Sequence, residues 1–286
     1  MSITRDIRIA LGGTYGALTR LIIVNVVVFL LLNIIVSIMM MSGNPDAGET
    51  IRVYTDLPAQ LRELLPHCWT IVTYMFVHYS FLHLLSNMLW LYFLGRVFSD
   101  LLGGARLTGV YLVGGLIGGI FFVALSNVIP HEKNSILEGA SGGVMAVVVA
   151  AASYRPDLTL FFFRWPVKLK WIALISFLLT TVLDLSANTG GKLAHIGGAL
   201  FGFIYGTQLR TGKNFLGKFM SLFRLKKSPL RVEHRRSQRS SDTIYNQNKA
   251  SIRRQVDEIL DKISRSGYDS LTKEEKKFLQ EHHDKF

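Results

Sequence analysis

The sequence predicts an all-α polytopic membrane protein, a bundle of six spanning helices followed by a helical tail. Three observations carry this expectation. Hydrophobic residues make up 49% of the 286-residue chain and charged residues only 18%, with a mean hydropathy of +0.30. Long uncharged windows recur, of the roughly 20 apolar residues that a helix needs to cross a hydrocarbon layer of about 30 Å. Glycine and alanine crowd several of those windows, as close helix packing in lipid requires.

The first window covers about Leu18–Met41. It is too long for a cleaved signal peptide, and no small-residue cleavage site follows, so it reads as a retained span. A polar-to-mixed loop extends to about Val77. The second span covers Phe81–Leu101, the third Leu107–Val128, and a short fourth Ala140–Ser153. The fifth lies within about Val167–Leu183 and the sixth covers Leu193–Leu209. Residues 1–210 are thus expected to form the membrane domain, and 211–286 a basic, partly flexible cytoplasmic tail ending in two short helices. In that tail SSDTIYNQNKAS (240–251) reads as flexible. Ile252, Val256, Ile259, Leu260 and Ile263 then fall at helical spacing. Gly267 separates them from a second helix that Thr272 and Glu275 open as a capping box.

Net charge is +12, and its placement decides its meaning. Lys and Arg concentrate after Arg210, with further clusters at Arg5, Arg8 and Arg20, at Arg96 and Arg106, and at Arg155, Arg164, Lys168 and Lys170. Asp46, Glu49, Asp56, Glu63, Glu132 and Glu138 fall in the intervening loops. With an even number of spans all the basic segments lie on one side, so both termini are expected in the cytoplasm. The same basic residues favour anionic headgroups over nucleic acid, and no nucleic-acid partner is expected. A single cysteine, Cys68, rules out an intramolecular disulfide. It reads as a small buried or interfacial residue sooner than as a catalytic thiol.

Polar groups at membrane depth are costly, which makes each one a functional candidate. His83 and Asn87 lie in span two, Ser141 opens span four, His195 lies in span six, and His78 just precedes span two. Ser141 sits in Gly139-Ala140-Ser141-Gly142-Gly143, at the start of the shortest helix. There it serves either as an N-cap or packing residue, or as a nucleophile with glycines leaving room for a substrate backbone. A serine hydroxyl needs a base, and a neutral histidine can supply one. His195 is either that base or a satisfied structural residue. Gly198 and Gly202 share a helix face, a stripe that lets span six approach a partner closely. His83 and Asn87, four apart, share another face and offer N–H donors of the kind an oxyanion requires. No metal is expected, since the pair lacks further ligands at suitable spacing.

Together these residues resemble the rhomboid family of intramembrane serine proteases. The match runs from about Trp69 to Gly206 through HYSFLHLLSNM, GASGG and AHIGGALFG, in that order. The resemblance implies a six-helix rhomboid-like bundle, with Ser141 as nucleophile and His195 as base. It also implies that His83, Asn87 and the Ser141 backbone N–H stabilise an oxyanion. His78 matches a structural position near the first loop, Gly139 and Gly142 belong to the nucleophile motif, and Gly198 and Gly202 match glycines that pack the two active helices. No cofactor is implied, and the partners implied are single-span membrane proteins and the bilayer itself. Two positions depart from the pattern: Met145 replaces an aromatic residue four positions after the nucleophile, and Thr70 replaces an arginine after Trp69. The tail resembles one on some bacterial members, especially from Bacteroidetes, which points to a bacterial inner membrane. Asp184 is either an orienter of His195 or a solvated helix end. The main alternative is a non-catalytic rhomboid-like factor that binds membrane proteins for quality control. A transporter is a third reading, weakened by the lack of paired mid-membrane charges and of an inverted repeat.

Overall fold

The computed structural model describes residues 11–129, 132–162, 164–183, 189–213, 217 and 238–282. Helix α1 spans Gly16–Met41 and is followed by α2 (Ala47–Thr55), strand β1 (Leu57–Pro58), and the single turns α3 (Leu61–Leu64) and α4 (Thr70–Thr73). Then come α5 (Phe81–Leu102), α6 (Gly104–Ser126), strand β2 (Ile136–Leu137) and α7 (Ser141–Tyr154). Strands β3 (Thr159–Phe162) and β4 (Trp165–Lys168) precede α8 (Leu169–Phe177), which runs on as a π-helical turn, Leu178–Val182. Helix α9 (Thr189–Arg210) closes this part, and α10 (Gln238–Ser266) and α11 (Lys273–His282) follow. Among the described residues α1, α5 and α6 are long and apolar enough to cross a membrane, while α7 and Leu169–Val182 are shorter apolar helices. All six expected spans coincide with helices. Where the sequence suggested plain loops, the structure adds α2, a β1–β2 pairing (Leu57 opposite Leu137) and a β3–β4 hairpin.

The centre of the bundle is α7. Of its 14 residues ten are buried, from Gly142 to Ala152, and it packs on α5, α6, α8 and α9. A helix buried on all sides must be small, and its sequence is mostly Gly, Ala and Val. Its tightest partner is α9. A Cβ on Gly198 would collide with the Gly142 carbonyl, one on Gly202 with the Ala146 carbonyl, and one on Gly206 with the Ala150 carbonyl. Both series rise by four, so the two helices run parallel in one register with backbone against backbone. Helix α6 joins them in the same way: a Cβ on Gly114 would meet that of Ala146, and one on Gly118 would lie 2.8 Å from the Ala194 carbonyl. At the other extreme, α1 buries only Gly16, Ala17, Leu18, Leu21 and Asn25 and leaves Leu30, Ile34 and Ile38 exposed along its length, a surface suited to lipid.

The chain divides into two compact units, 1–224 and 225–286. In the second, two expectations are corrected. The stretch 240–251 is helical rather than flexible, and the first tail helix has 29 residues rather than being short. Extending a helix from an established nucleus costs far less than starting one, so the stripe at 252–263 carries the polar residues before it into helix. Within that stripe Ile259 is buried, whereas Leu260, expected on the same face, is 49% exposed. One residue on from Ile259 is a rotation of about 100°. The capping box is present, with the Thr272 N–H donating to Glu275 Oε2 at 2.7 Å and the Glu275 N–H to Thr272 Oγ1 at 3.2 Å. Of the two structural readings of Cys68, buried or interfacial, the buried one is excluded, since Cys68 is exposed.

The glycine register makes a sharp expectation. Gly202→Ala should destabilise the bundle by about 1–3 kcal/mol, because its methyl group lands on a backbone carbonyl. Gly48→Ala, in α2 with nothing within 4 Å of the new Cβ, should be neutral or stabilise by up to about 1 kcal/mol. Unfolding of both variants in one detergent or bicelle system checks this; equal effects would refute the close-contact reading.

Candidate active site

The α7–α9 register sets the height of the site. Ser141 stands one residue before Gly142, and His195 three before Gly198, so the Gly142–Gly198 contact brings both side chains to one level. They line a single cavity of about 360 Å³ together with His83, Ser86, Asn87, Trp90, Val144, Met145, Val148, Ser176, Leu179 and Thr180. The four residues singled out for acyl transfer thus converge from α5, α7 and α9 on one space. Ser141 is the first residue of α7, so its N–H belongs to the set without an intrahelical partner, next to the positive helix end.

His195 is buried, with 8% exposure. Its Nδ1 lies 3.2 Å from the Thr180 carbonyl oxygen and 3.3 Å from Thr181 Oγ1. A carbonyl can only accept, so Nδ1 carries a proton, and in the neutral imidazole Nε2 then holds the lone pair. The π turn at Leu178–Val182 supplies these contacts. Its wide ring is closed by the Leu183 N–H donating to the Leu178 carbonyl at 2.8 Å; such single-turn distortions recur at functional sites. Neither threonine is among the site residues expected from the sequence. Two adjacent threonines in an otherwise apolar run were the available signal. Asp184, considered there as an orienter, lies outside the described residues.

On α5 the Asn87 amide donates one N–H to the His83 carbonyl at 2.9 Å, which leaves its second N–H for another acceptor. The imidazole of His83 packs against Gly139, where a Cβ would lie 2.7 Å from the ring; Gly139 also has φ +107°, a backbone that glycine adopts freely. The Gly139 N–H donates to the Tyr74 carbonyl at 3.0 Å. Next along, the Ala140 N–H donates to His78 Nε2 at 3.3 Å. His78 is fully buried, its ring edge-on to that of His83 at 5.1 Å. Burial, and then the neighbouring His83, push its pKa down to about 4, so it stays a neutral acceptor. His78 and Tyr74 therefore hold the two residues that precede Ser141. Thr70, at the departure after Trp69, is buried and donates its hydroxyl to the His67 carbonyl at 2.8 Å, while Trp69 Nε1–H reaches the Tyr54 carbonyl at 2.9 Å.

One residue earlier stands Glu138, read from sequence only as a loop charge. Its Oε1 lies 3.9 Å from His83 Nδ1, and its Oε2 lies 3.4 Å from Arg52 Nη1, an ion pair without a hydrogen bond. The same Arg52 nitrogen is 3.4 Å from Asp56 Oδ2, and its guanidinium covers the Tyr79 ring at 4.0 Å. Asp56 also accepts from Thr55 at 2.8 Å and Tyr79 at 2.9 Å. One arginine therefore serves two carboxylates, the buried Asp56 and the half-buried Glu138. Burial, and then the Asp56 charge, raise the Glu138 pKa to about 7.

Comparison with known proteins fits this arrangement. The profile of the Rhomboid domain matches residues 66–211, about half of the chain. The chain belongs to the rhomboid family. Among its relatives, RHOMBOID-like protein 12, mitochondrial, of Arabidopsis thaliana is 30% identical over 50% of this rhomboid and 47% of its own length. Human presenilin-associated rhomboid-like protein, mitochondrial, is 29% identical over 66% and 47% respectively. Rhomboid protease GlpG of Haemophilus influenzae is 27% identical over 48% and 68%. The chain thus spans about half the length of the first two. Residues 239–285 match a family of unknown function (DUF6576).

The Glu138 site should be visible in stability. Its carboxyl binds a proton more readily folded than unfolded, so between about pH 4.5 and about 7 this group makes stability fall as pH rises. His78, with its pKa lowered to about 4 from 6.5, acts in the opposite sense between those values. Glu138→Gln removes only the first effect. The stability of wild type relative to this variant should therefore drop by up to about 3 kcal/mol across that window; a difference that does not change with pH would refute the assignment.

Proposed function

We propose that this rhomboid is an intramembrane serine endopeptidase. The observation that carries the reading is the shared cavity of Ser141, His195, His83 and Asn87, with His195 Nδ1 directed at the Thr180 carbonyl. In the proposed cycle His195 Nε2 takes the Ser141 hydroxyl proton as Oγ attacks the scissile carbonyl. The negative charge that develops is met by the Ser141 N–H, the second Asn87 N–H and His83. The tetrahedral intermediate collapses as His195 returns the proton to the leaving amine, giving an acyl-enzyme. Water, deprotonated by His195, then hydrolyses the ester and restores Ser141. No acidic third member is needed, because the Thr180 carbonyl and Thr181 hydroxyl orient the imidazole.

The substrates proposed are single-span membrane proteins that unwind near the outer interface, reaching Ser141 between α5 and α8. A scissile bond inside a helix is protected by its own hydrogen bonds, so helix-weakening residues should mark the cleaved segment. The distribution of basic residues supports an orientation with both termini in the cytoplasm. The resemblance of the tail to bacterial members supports a bacterial inner membrane as the location.

Reconstituted with a single-span substrate, Ser141→Ala and His195→Ala should each lose at least roughly a thousandfold in rate. Asn87→Ala should lose about a hundredfold, and a fluorophosphonate probe should label Ser141 alone. Cleavage by all variants at the wild-type rate, or no labelling of the wild type, would favour the non-catalytic binding factor.

A further inference from the structure

The β3–β4 hairpin joins α7 to α8 and takes no part in the site just described. Its register pairs Thr159 with Lys168, Leu160 with Val167, Phe161 with Pro166 and Phe162 with Trp165. Alternation puts Leu160, Val167 and Trp165, the last at the turn end, on one face and Phe161 and Pro166 on the other. Leu160 and Val167 are half-buried, and Leu160 packs on the core. Phe161 and Trp165 are each 77% exposed. The hairpin is rooted at the helix ends: the Leu169 N–H donates to the Leu158 carbonyl at 2.8 Å and the Lys170 N–H to the Pro156 carbonyl at 3.3 Å. Four residues at roughly 3.3 Å each let it reach only about 13 Å from that root. It therefore stays close to the plane in which two apolar helices leave the hydrocarbon. The surrounding segment holds four cations, Arg155, Arg164, Lys168 and Lys170, against one carboxylate. That carboxylate, Asp157, is 3.2 Å from Lys168 and 3.1 Å from Lys170. The excess charge falls on Arg155, on Arg164, which is exposed at the turn, and on the lysine pair, which a single carboxylate only half neutralises.

Exposed aromatics beside cations at the end of spanning helices suit the zone where acyl chains meet headgroups. There the rings lie at headgroup level and the guanidinium meets phosphate. A two-stranded hairpin is also only marginally stable in water by itself, so a second surface is called for. We propose that the β3–β4 hairpin is a membrane-surface anchor that binds anionic phospholipid headgroups, with Phe161 and Trp165 in the interfacial layer and Arg164 on the phosphates. The anchor fixes the level of one end of α8, whose other end carries the Thr180 and Thr181 contacts to His195. It depends on the membrane location of the chain and is independent of whether Ser141 is a nucleophile.

The test uses the full chain with Cys68→Ser, so that Phe161→Cys or Trp165→Cys carries the only nitroxide label. The protein is reconstituted in phosphatidylcholine vesicles with and without phosphatidylglycerol, and each label's collision with oxygen is compared with that of a water-soluble nickel chelate. The anchor predicts that both labels favour oxygen in phosphatidylglycerol vesicles. It also predicts that Arg164→Glu shifts them toward nickel there but not in pure phosphatidylcholine. Nickel access equal to that of a label at exposed Glu63→Cys would overturn the membrane contact. Spin–spin broadening that disappears on dilution with unlabelled protein would assign the hairpin to a contact with a second copy instead. Label depth unaffected by both phosphatidylglycerol and Arg164→Glu would overturn the recognition of anionic lipid.

Discussion

Lipid tails are as apolar as leucine, so helices in a bilayer gain little from hiding hydrophobic surface and must be held by close packing. In this protein that packing is concentrated in the contact between α7 and α9, where Gly198, Gly202 and Gly206 rest on the carbonyls of Gly142, Ala146 and Ala150. Most else follows from it. The two helices are parallel and locked in register, so a serine at the start of one and a histidine in the first half of the other meet at one level. Helix α6 closes on the same pair through Gly114 and Gly118. This is why α7, one of the two short apolar helices of the bundle, can also be the most enclosed: its side chains are small enough for neighbours on every side.

A second set of constraints acts just before Ser141. Residues 138–140 are held one by one, Glu138 between Arg52 and His83, Gly139 by the Tyr74 carbonyl, and Ala140 by neutral His78. Tyr74 is itself tied down, its hydroxyl donating to the Gly115 carbonyl at 2.6 Å. The backbone that presents the serine is therefore fixed by groups drawn from the first loop, α5 and α6. Only at Glu138 does this support carry an electrostatic tension, since Arg52 alone balances two carboxylates. A charge that titrates near neutrality beside His83 is a cost that uncharged side chains would not incur.

The helical elements were legible because lipid imposes a crude and reliable pattern. Long apolar windows marked α1, α5 and α6, and glycine-rich windows marked α7 and α9 even where length and hydropathy were weaker. The tail was misread at 240–251 because its polar composition resembles a linker, while helix propagation from the 252–263 stripe depends on what lies next to it. The β3–β4 segment reads from sequence only as a basic connection between spans four and five, since strands of four residues are too short to give a clear period. At the site, the polar residues most costly in a membrane, Ser141, His195, His83 and Asn87, stood out for that reason alone. Thr180 and Thr181 did not, since threonine can satisfy its hydroxyl on its own helix, as Thr180 does by donating to the Ser176 carbonyl at 2.9 Å.

Taken alone, the sequence determined the class of the protein, the helices, the glycine stripes and the polar residues that had to be explained at membrane depth. These are properties of residue type and spacing along one chain. Tertiary structure decided the rest: that Gly142 and not Gly143 receives Gly198, that a π turn aims the Thr180 carbonyl at His195 Nδ1, and that Glu138 and Asp56 share one arginine. Each of these depends on which backbone atom of one helix faces which atom of another, and that distance is set by packing between segments far apart in sequence.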